Sequence, residues 1–350
     1  MLLEIILFNV FLIFCLWVYC KVSCGICKSS KHLVGKVVIV TGGNNGIGYE
    51  TAKDLADRGA RVILACRNEA RGTEARNKIV AATENNDVHF KQLDLASLTS
   101  VRQFAENVIR TEKQLDILIN NAGINGSDLV KTEDGFVEGM QVNHFGPFLL
   151  TSLLLPLLKS SAPSRIINVS SEAHYRARLD INDLNMNGKT EKTKSKTEMY
   201  ANSKICNIYM ATELSRRLQG TGVTCNALHP GVVDTDILYQ INVPMFRYIL
   251  PLVRSFFKDP WEGAQTSIYL AVSPDVRHTS GHYFRDCHVV NTSRAARDSE
   301  VARKLWEKSE ELVVIKINIV LGTFFIFLIA NPFQAIVIKI TYKISTVKRS

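Results

Sequence analysis

Between residues 37 and 290, short runs of β-branched and aliphatic residues alternate with longer stretches whose apolar positions recur at helical spacing. The short runs read VVIVT (37–41), RVILAC (61–66), VHFKQL (88–93), LDILIN (115–120), RIINVS (165–170), VTCNAL (223–228) and HYF (282–284), and each is taken as a strand. Strands separated by amphipathic helices predict an α/β fold: a single doubly wound, mostly parallel sheet with helices on both faces.

Two apolar segments flank this region. Residues 2–20, LLEIILFNVFLIFCLWVYC, are interrupted only by Glu4 and Asn9. As a helix at about 1.5 Å per residue they reach roughly 28 Å, close to the hydrocarbon thickness of a bilayer. A cleaved signal peptide would want a basic start and a small-residue cleavage site, whereas this stretch opens acidic and runs into Tyr-Cys-Lys. A transmembrane anchor is therefore expected. The positive charges at Lys21, Lys28, Lys31 and Lys36 follow it and place the downstream chain in the cytosol. Residues 313–340 form the second apolar segment, broken at Asn331-Pro332, with Ile317–Ala330 too short to span comfortably. It is expected to enter the membrane without crossing it. The predicted organisation is an anchor (1–20), a basic, cysteine-containing linker (21–35), one α/β domain (36–295), a linker helix (296–312) and a membrane-associated segment (313–340).

Composition changes little in this picture. The 350 residues are 46% hydrophobic and carry a net charge of +9, but the lysines are scattered and no basic block suits nucleic acid. A surplus of positive charge beside apolar segments fits an anionic membrane surface instead. Cys66, Cys206, Cys225 and Cys287 sit among apolar neighbours, as buried free thiols do. Cys15, Cys20, Cys24 and Cys27 cluster near the anchor, where no second Cys or His pair completes a metal site; juxtamembrane thiols open to palmitoylation are the plain reading.

Candidate chemistry begins after the first strand. Thr41-Gly42-Gly43-Asn44-Asn45-Gly46-Ile47-Gly48 opens a helix, and its glycines allow a tight turn that brings backbone N–H groups up to a pyrophosphate. By itself the loop could be plain turn chemistry. The second strand ends in Ala65-Cys66-Arg67-Asn68. A carboxylate there would select NAD through the ribose 2′-hydroxyl, whereas an arginine accommodates the 2′-phosphate of NADP(H). Glu69 is read as a first-turn residue of the next helix, its charge meeting the helix dipole. A merely solvated Arg67 is the alternative.

Several further motifs occur in order: NNAG (120–123), Asn143 in VNHFG, Ser171 in NVSSEAH, Tyr200-Ala201-Asn202-Ser203-Lys204, and HPGVVDT (229–235). Together with the glycine loop they resemble the short-chain dehydrogenase/reductases over residues 36 to about 290. Within that family ACRN (65–68), LDLASL (93–98) and NVSSEAH look like the microsomal retinol dehydrogenase/retinal reductase group, which carries N-terminal anchors. The resemblance implies a Rossmann-type fold and a catalytic set of Asn143, Ser171, Tyr200 and Lys204. It implies cofactor contacts from Gly42, Asn44, Asn45, Gly46, Ile47 and Gly48, then Arg67, Asn68 and Asp94, the last toward adenine. Asn121, Ala122, Gly123, Tyr200 and Lys204 follow, with Pro230, Gly231, Val233 and Thr235 as a nicotinamide-side loop. No metal is implied.

The chemistry asks for these residue types. A phenol of pKa near 10 is a reluctant acid or base at neutral pH. Lys204 lies one helical turn from Tyr200, so its ammonium can favour the phenolate while Tyr200 exchanges a proton with the substrate oxygen. Ser171 would hydrogen-bond that same oxygen, and by analogy Asn143 holds a water that links Lys204 to solvent.

Two stretches depart from compact family members. NMNGKTEKTKSKTEM (185–199) is polar and reads as a solvated loop, with a substrate-gating flap as the sharper alternative. ILYQINVPMFRYILPLVRSFF (237–257) is strongly apolar and suggests a lid for a lipophilic substrate, or else core packing. The expectation is an NADP(H)-dependent enzyme interconverting retinal and retinol on the cytosolic face of the endoplasmic reticulum, or of a lipid droplet. A steroid, fatty or isoprenoid carbonyl is the runner-up substrate, and a catalytically idle membrane scaffold the rival of another class. A homo-oligomer is admitted by the resemblance.

Overall fold

The computed structural model describes residues 2–125, 130–188, 196–234 and 254–320. An eight-stranded sheet runs in the order β3-β2-β1-β4-β5-β6-β7-β8. Its strands are β1 (Val37–Thr41), β2 (Arg61–Cys66), β3 (Val88–Gln92), β4 (Ile117–Asn120), β5 (Ser164–Val169), β6 (Val223–His229), β7 (Tyr283–Arg285) and β8 (His288–Val289). All pairings are parallel except that of β7 with β8, a short hairpin that the sequence did not announce.

The helices are α1 (Leu2–Val22), α2 (Gly46–Asp57), α3 (Glu69–Thr83), α4 (Leu98–Thr111), α5 (Glu138–Met140), α6 (Gly146–Ser160), α7 (Lys196–Arg217), α8 (Pro260–Val272) and α9 (Ser299–Val320). Alternate residues of β1 explain why its sequence is apolar throughout. Val37 and Ile39 face one core with residues of α4, α6, α7 and α9, while Val38 and Val40 face the other with α2, α3 and α8. A strand buried on both faces needs no polar alternation. The order of strands reverses between β1 and β4, and the carboxyl ends there open a crevice.

The helix expected as a linker over 296–312 is α9, and its inner face belongs to the core. Trp306 is buried against the Phe148 ring (4.7 Å between centroids) and under the Arg217 guanidinium (4.8 Å), and Ser309 meets His144 Nε2 at 2.9 Å. Val313, where the second apolar segment was expected to begin, is buried, and its carbonyl accepts from Arg102 at 2.9 Å. Residues 321–340 of that segment lie outside the described residues. The apolar N-terminal run is helical as expected, yet among the described residues no helix is long and apolar enough to cross a membrane.

Of the 185–199 stretch, residues 189–195 lie outside the described residues. Its start is no free loop: Val137 N donates to Asn185 Oδ1 at 2.7 Å, and Met186 is buried in the core. Most of the apolar stretch 237–257, residues 237–253, is likewise outside the described residues.

Candidate active site

A cavity of about 650 Å³ opens over the carboxyl ends of β1, β2, β4 and β5. The glycine loop forms its floor. Gly42 (φ +66°) and Gly46 (φ +55°) take the left-handed conformation that side chains disfavour. At Gly48 a Cβ would lie 2.3 Å from the Gly42 carbonyl oxygen and 2.4 Å from Asn121 Nδ2, so α2 can start against the loop only without a side chain there. Asn45 caps α2 by accepting from Gly46 N at 2.8 Å. Thr41 Oγ1 accepts from the N–H groups of Asn121 and Ala122, both at 3.0 Å, which ties the NNAG turn to the loop.

The lining residues include Gly42, Asn44, Asn45, Gly46, Ile47 and Gly48, then Arg67, Asp94, Asn121, Ala122, Gly123, Tyr200, Lys204 and Pro230. These expected residues therefore share one crevice. Arg67 is largely exposed at the rim, its Nη1 3.9 Å from Glu138 Oε1. Glu69 sits in the first turn of α3, as read from sequence. Asn68 is placed differently: its Oδ1 accepts from Arg71 N at 2.9 Å as the cap of α3, and its side chain is not part of the lining. Asparagine just before a helix does this commonly, and the sequence signal was available. Gly231 and Val233 stand behind the wall. Val233 is buried against the face of α8, where a Cβ on Gly263 would come 2.7 Å from its Cγ2. Thr235 lies outside the described residues.

The catalytic candidates converge at the inner end. Tyr200 is half-buried, and the Ser171 side chain is near enough to its phenol to act on its pKa. Burial pushes the phenol above its ordinary pKa, and Ser171 pulls the other way. The Lys204 ammonium lies 5.4 Å from the Tyr200 ring centre and donates to the Val169 carbonyl at 3.2 Å. Lys204 is 3% exposed, with no carboxylate paired to it among the described residues, and burial lowers its pKa to about 8. A Cβ on Gly123 would sit 3.1 Å from Lys204 Nζ and 3.3 Å from Asn143 Oδ1, so glycine lets ammonium, amide and turn approach one another.

Asn143 lies in a π-helical turn, Gln141–Phe145, inserted between α5 and α6. Its Oδ1 accepts from Ile124 N (2.8 Å), and its Nδ2 donates to the Ile124 carbonyl and to Ser203 Oγ (both 2.9 Å). A wide turn of this type concentrates at functional sites, and here it aims an amide at the chain after NNAG. Ser171 is held from below: its Oγ accepts from Ala173 N (3.1 Å), and its carbonyl accepts from His174 Nδ1 (2.7 Å).

Glu138 and Lys196 also line the cavity and carried no motif. For Lys196 a signal existed, since Lys196, Tyr200 and Lys204 fall at successive fourth positions of one helix.

A family model described as short chain dehydrogenase matches residues 36–179. Over 293 residues the chain is 48% identical to retinol dehydrogenase 14 of Mus musculus, covering 80% of this chain and 86% of that protein. It is 45% identical to retinol dehydrogenase 11 of Homo sapiens, covering 85% and 91%. Among solved structures, the Pseudomonas aeruginosa RhlG/NADP active-site complex matches with a TM-score of 0.57 at 26% identity, covering 72% of this chain and 95% of that one.

Proposed function

The chain belongs to the short chain dehydrogenase family, and on that footing we propose that it is an NADP(H)-dependent oxidoreductase acting on a lipophilic carbonyl, retinal first among them. The observation that carries the reading is the convergence of the Ser171 and Tyr200 hydroxyls with the Lys204 ammonium at the inner end of a dinucleotide-sized crevice. NADPH, when bound, supplies the hydride. Tyr200 delivers the proton to the substrate oxygen in reduction and removes it in oxidation. Ser171 donates to that oxygen as charge develops on it. Lys204 favours the phenolate and is recharged along the Asn143 side of the pocket. Arg67 takes the 2′-phosphate at the rim, and no carboxylate at the end of β2 competes for the role.

Retinal is supported by the names of the two relatives above, and by the apolar composition of residues 237–257. Residues 2–20 anchor the enzyme in the endoplasmic reticulum, with the catalytic domain in the cytosol, where prevalent NADPH favours reduction. Tyr200→Phe tests the assignment because it keeps the ring and removes the transferable proton. Turnover should fall about 10²–10⁴-fold with NADPH affinity nearly unchanged. Activity within a few-fold of wild type would remove Tyr200 from the mechanism.

A further inference from the structure

We propose that the last turn of α1 and the strap behind it, residues 21–27, hold the turn at Pro230–Asp234 in place, which makes Lys21 and Gly25 positioning residues of the active site. The inference rests on the reading above, in which that turn flanks the nicotinamide half of the cofactor. A passive tether would leave its backbone to solvent; this one is bonded to the domain at Trp17, Lys21, Gly25 and Cys27. Lys21 Nζ donates to Glu262 Oε2 (2.7 Å) and to the Phe257 carbonyl (3.2 Å), and Trp17 Nε1 donates to the Ser255 carbonyl (3.0 Å). Gly25 N reaches Asp286 Oδ1 at 3.3 Å, and Cys27 N reaches Gln265 Oε1 at 3.1 Å.

Two branches of this network meet at Lys258. On one side, Glu262 Oε2 accepts both from Lys21 and from Asp259 N (2.9 Å), closing the capping box that starts α8. Lys21 thus fixes the residues before and after Lys258. On the other side, Asp286 Oδ1 accepts from both Gly25 N and Lys258 Nζ (2.5 Å). The Lys258 backbone then grips the turn: its N–H donates to the Val232 carbonyl, and its carbonyl accepts from Asp234 N, both at 2.9 Å. Its side chain packs under Gly231 (φ +98°), where a Cβ would come 2.7 Å from Lys258 Cδ. Pro230, next in the chain, lines the cavity. The contact at Gly25 is close: a Cβ there would lie 2.1 Å from the Asp286 carbonyl oxygen, so alanine must push the strap away from β7 and β8 without altering any charge.

The test uses the full-length chain in vesicles and two ligands, NADPH and 2′-phospho-ADP-ribose, which lacks the nicotinamide. Lys21→Met and Gly25→Ala should each weaken NADPH about three- to tenfold while leaving 2′-phospho-ADP-ribose within about twofold; Lys21→Arg should bind NADPH like wild type. Equal weakening of both ligands would reduce the strap to general stability, and no weakening in either variant would make it a tether; both outcomes overturn the positioning role alone. Wild type that binds neither ligand would overturn the function reading, and this inference with it.

Discussion

Replacing Lys204 by methionine removes the buried ammonium set 5.4 Å from the Tyr200 ring centre while keeping an apolar stem of similar length. A phenolate charge at about that range attracts the ammonium by about 3 kcal/mol at an effective dielectric near 20, which is about two pK units. Burial already holds the phenol high, so the loss falls on a group with little to spare. The sign follows from which form works. Alcohol oxidation needs the phenolate, so activity rises with pH through the phenol's pKa. Losing the cation raises that pKa and moves the acidic limb to higher pH. We expect the limb of log kcat/KM for NADP-linked alcohol oxidation to shift upward by about two pH units, with about a hundredfold loss at neutral pH. The assay is initial-rate formation of NADPH across a pH series at saturating NADP. A limb that stays in place, with only NADP binding weakened, would refute the electrostatic role and leave Lys204 as a cofactor contact.

Arg67→Asp should raise the KM for NADPH about ten- to a hundredfold more than that for NADH, the range for one charge-assisted contact to a phosphate. An enzyme that already prefers NADH would instead point to Glu69 in the first turn of α3 as the ribose ligand. For orientation, protease added outside intact microsomes should digest the catalytic domain. Asn291 in Asn291-Thr292-Ser293, exposed after β8, should carry no glycan. Protection until detergent is added, or a glycan at Asn291, would place the domain in the lumen.

Much of this was legible because it is local. Strands buried on both faces show as continuous apolar runs, and a helix start that leaves no room for a Cβ against the preceding loop, as at Gly48, shows as glycine. What was not legible depends on distant partners. The π-turn at Gln141–Phe145 holds Asn143 against the Ile124 backbone and Ser203, contacts that no local pattern announces. The 296–312 helix reads as a charged connector from its Arg303, Lys304 and Glu307 face, while Leu305, Trp306 and Ser309 on the opposite face are buried. The 21–35 linker looks polar and free, yet it is held by the Asp286 and Gln265 side chains and by Arg58, whose Nη1 reaches the Ser29 carbonyl at 2.7 Å. Asn68, expected as a cofactor contact, also starts α3, because its side-chain oxygen lies within reach of its own helix.

The most direct measurement is the rate of NADPH oxidation by vesicles carrying the full-length chain, against a panel of retinal, steroid ketones, farnesal and medium-chain aldehydes. The account predicts turnover with NADPH well above that with NADH, fastest for a long apolar aldehyde and abolished in Tyr200→Phe. NADPH binding without oxidation in the presence of every carbonyl offered would contradict it, and would leave the chain a cofactor-binding scaffold.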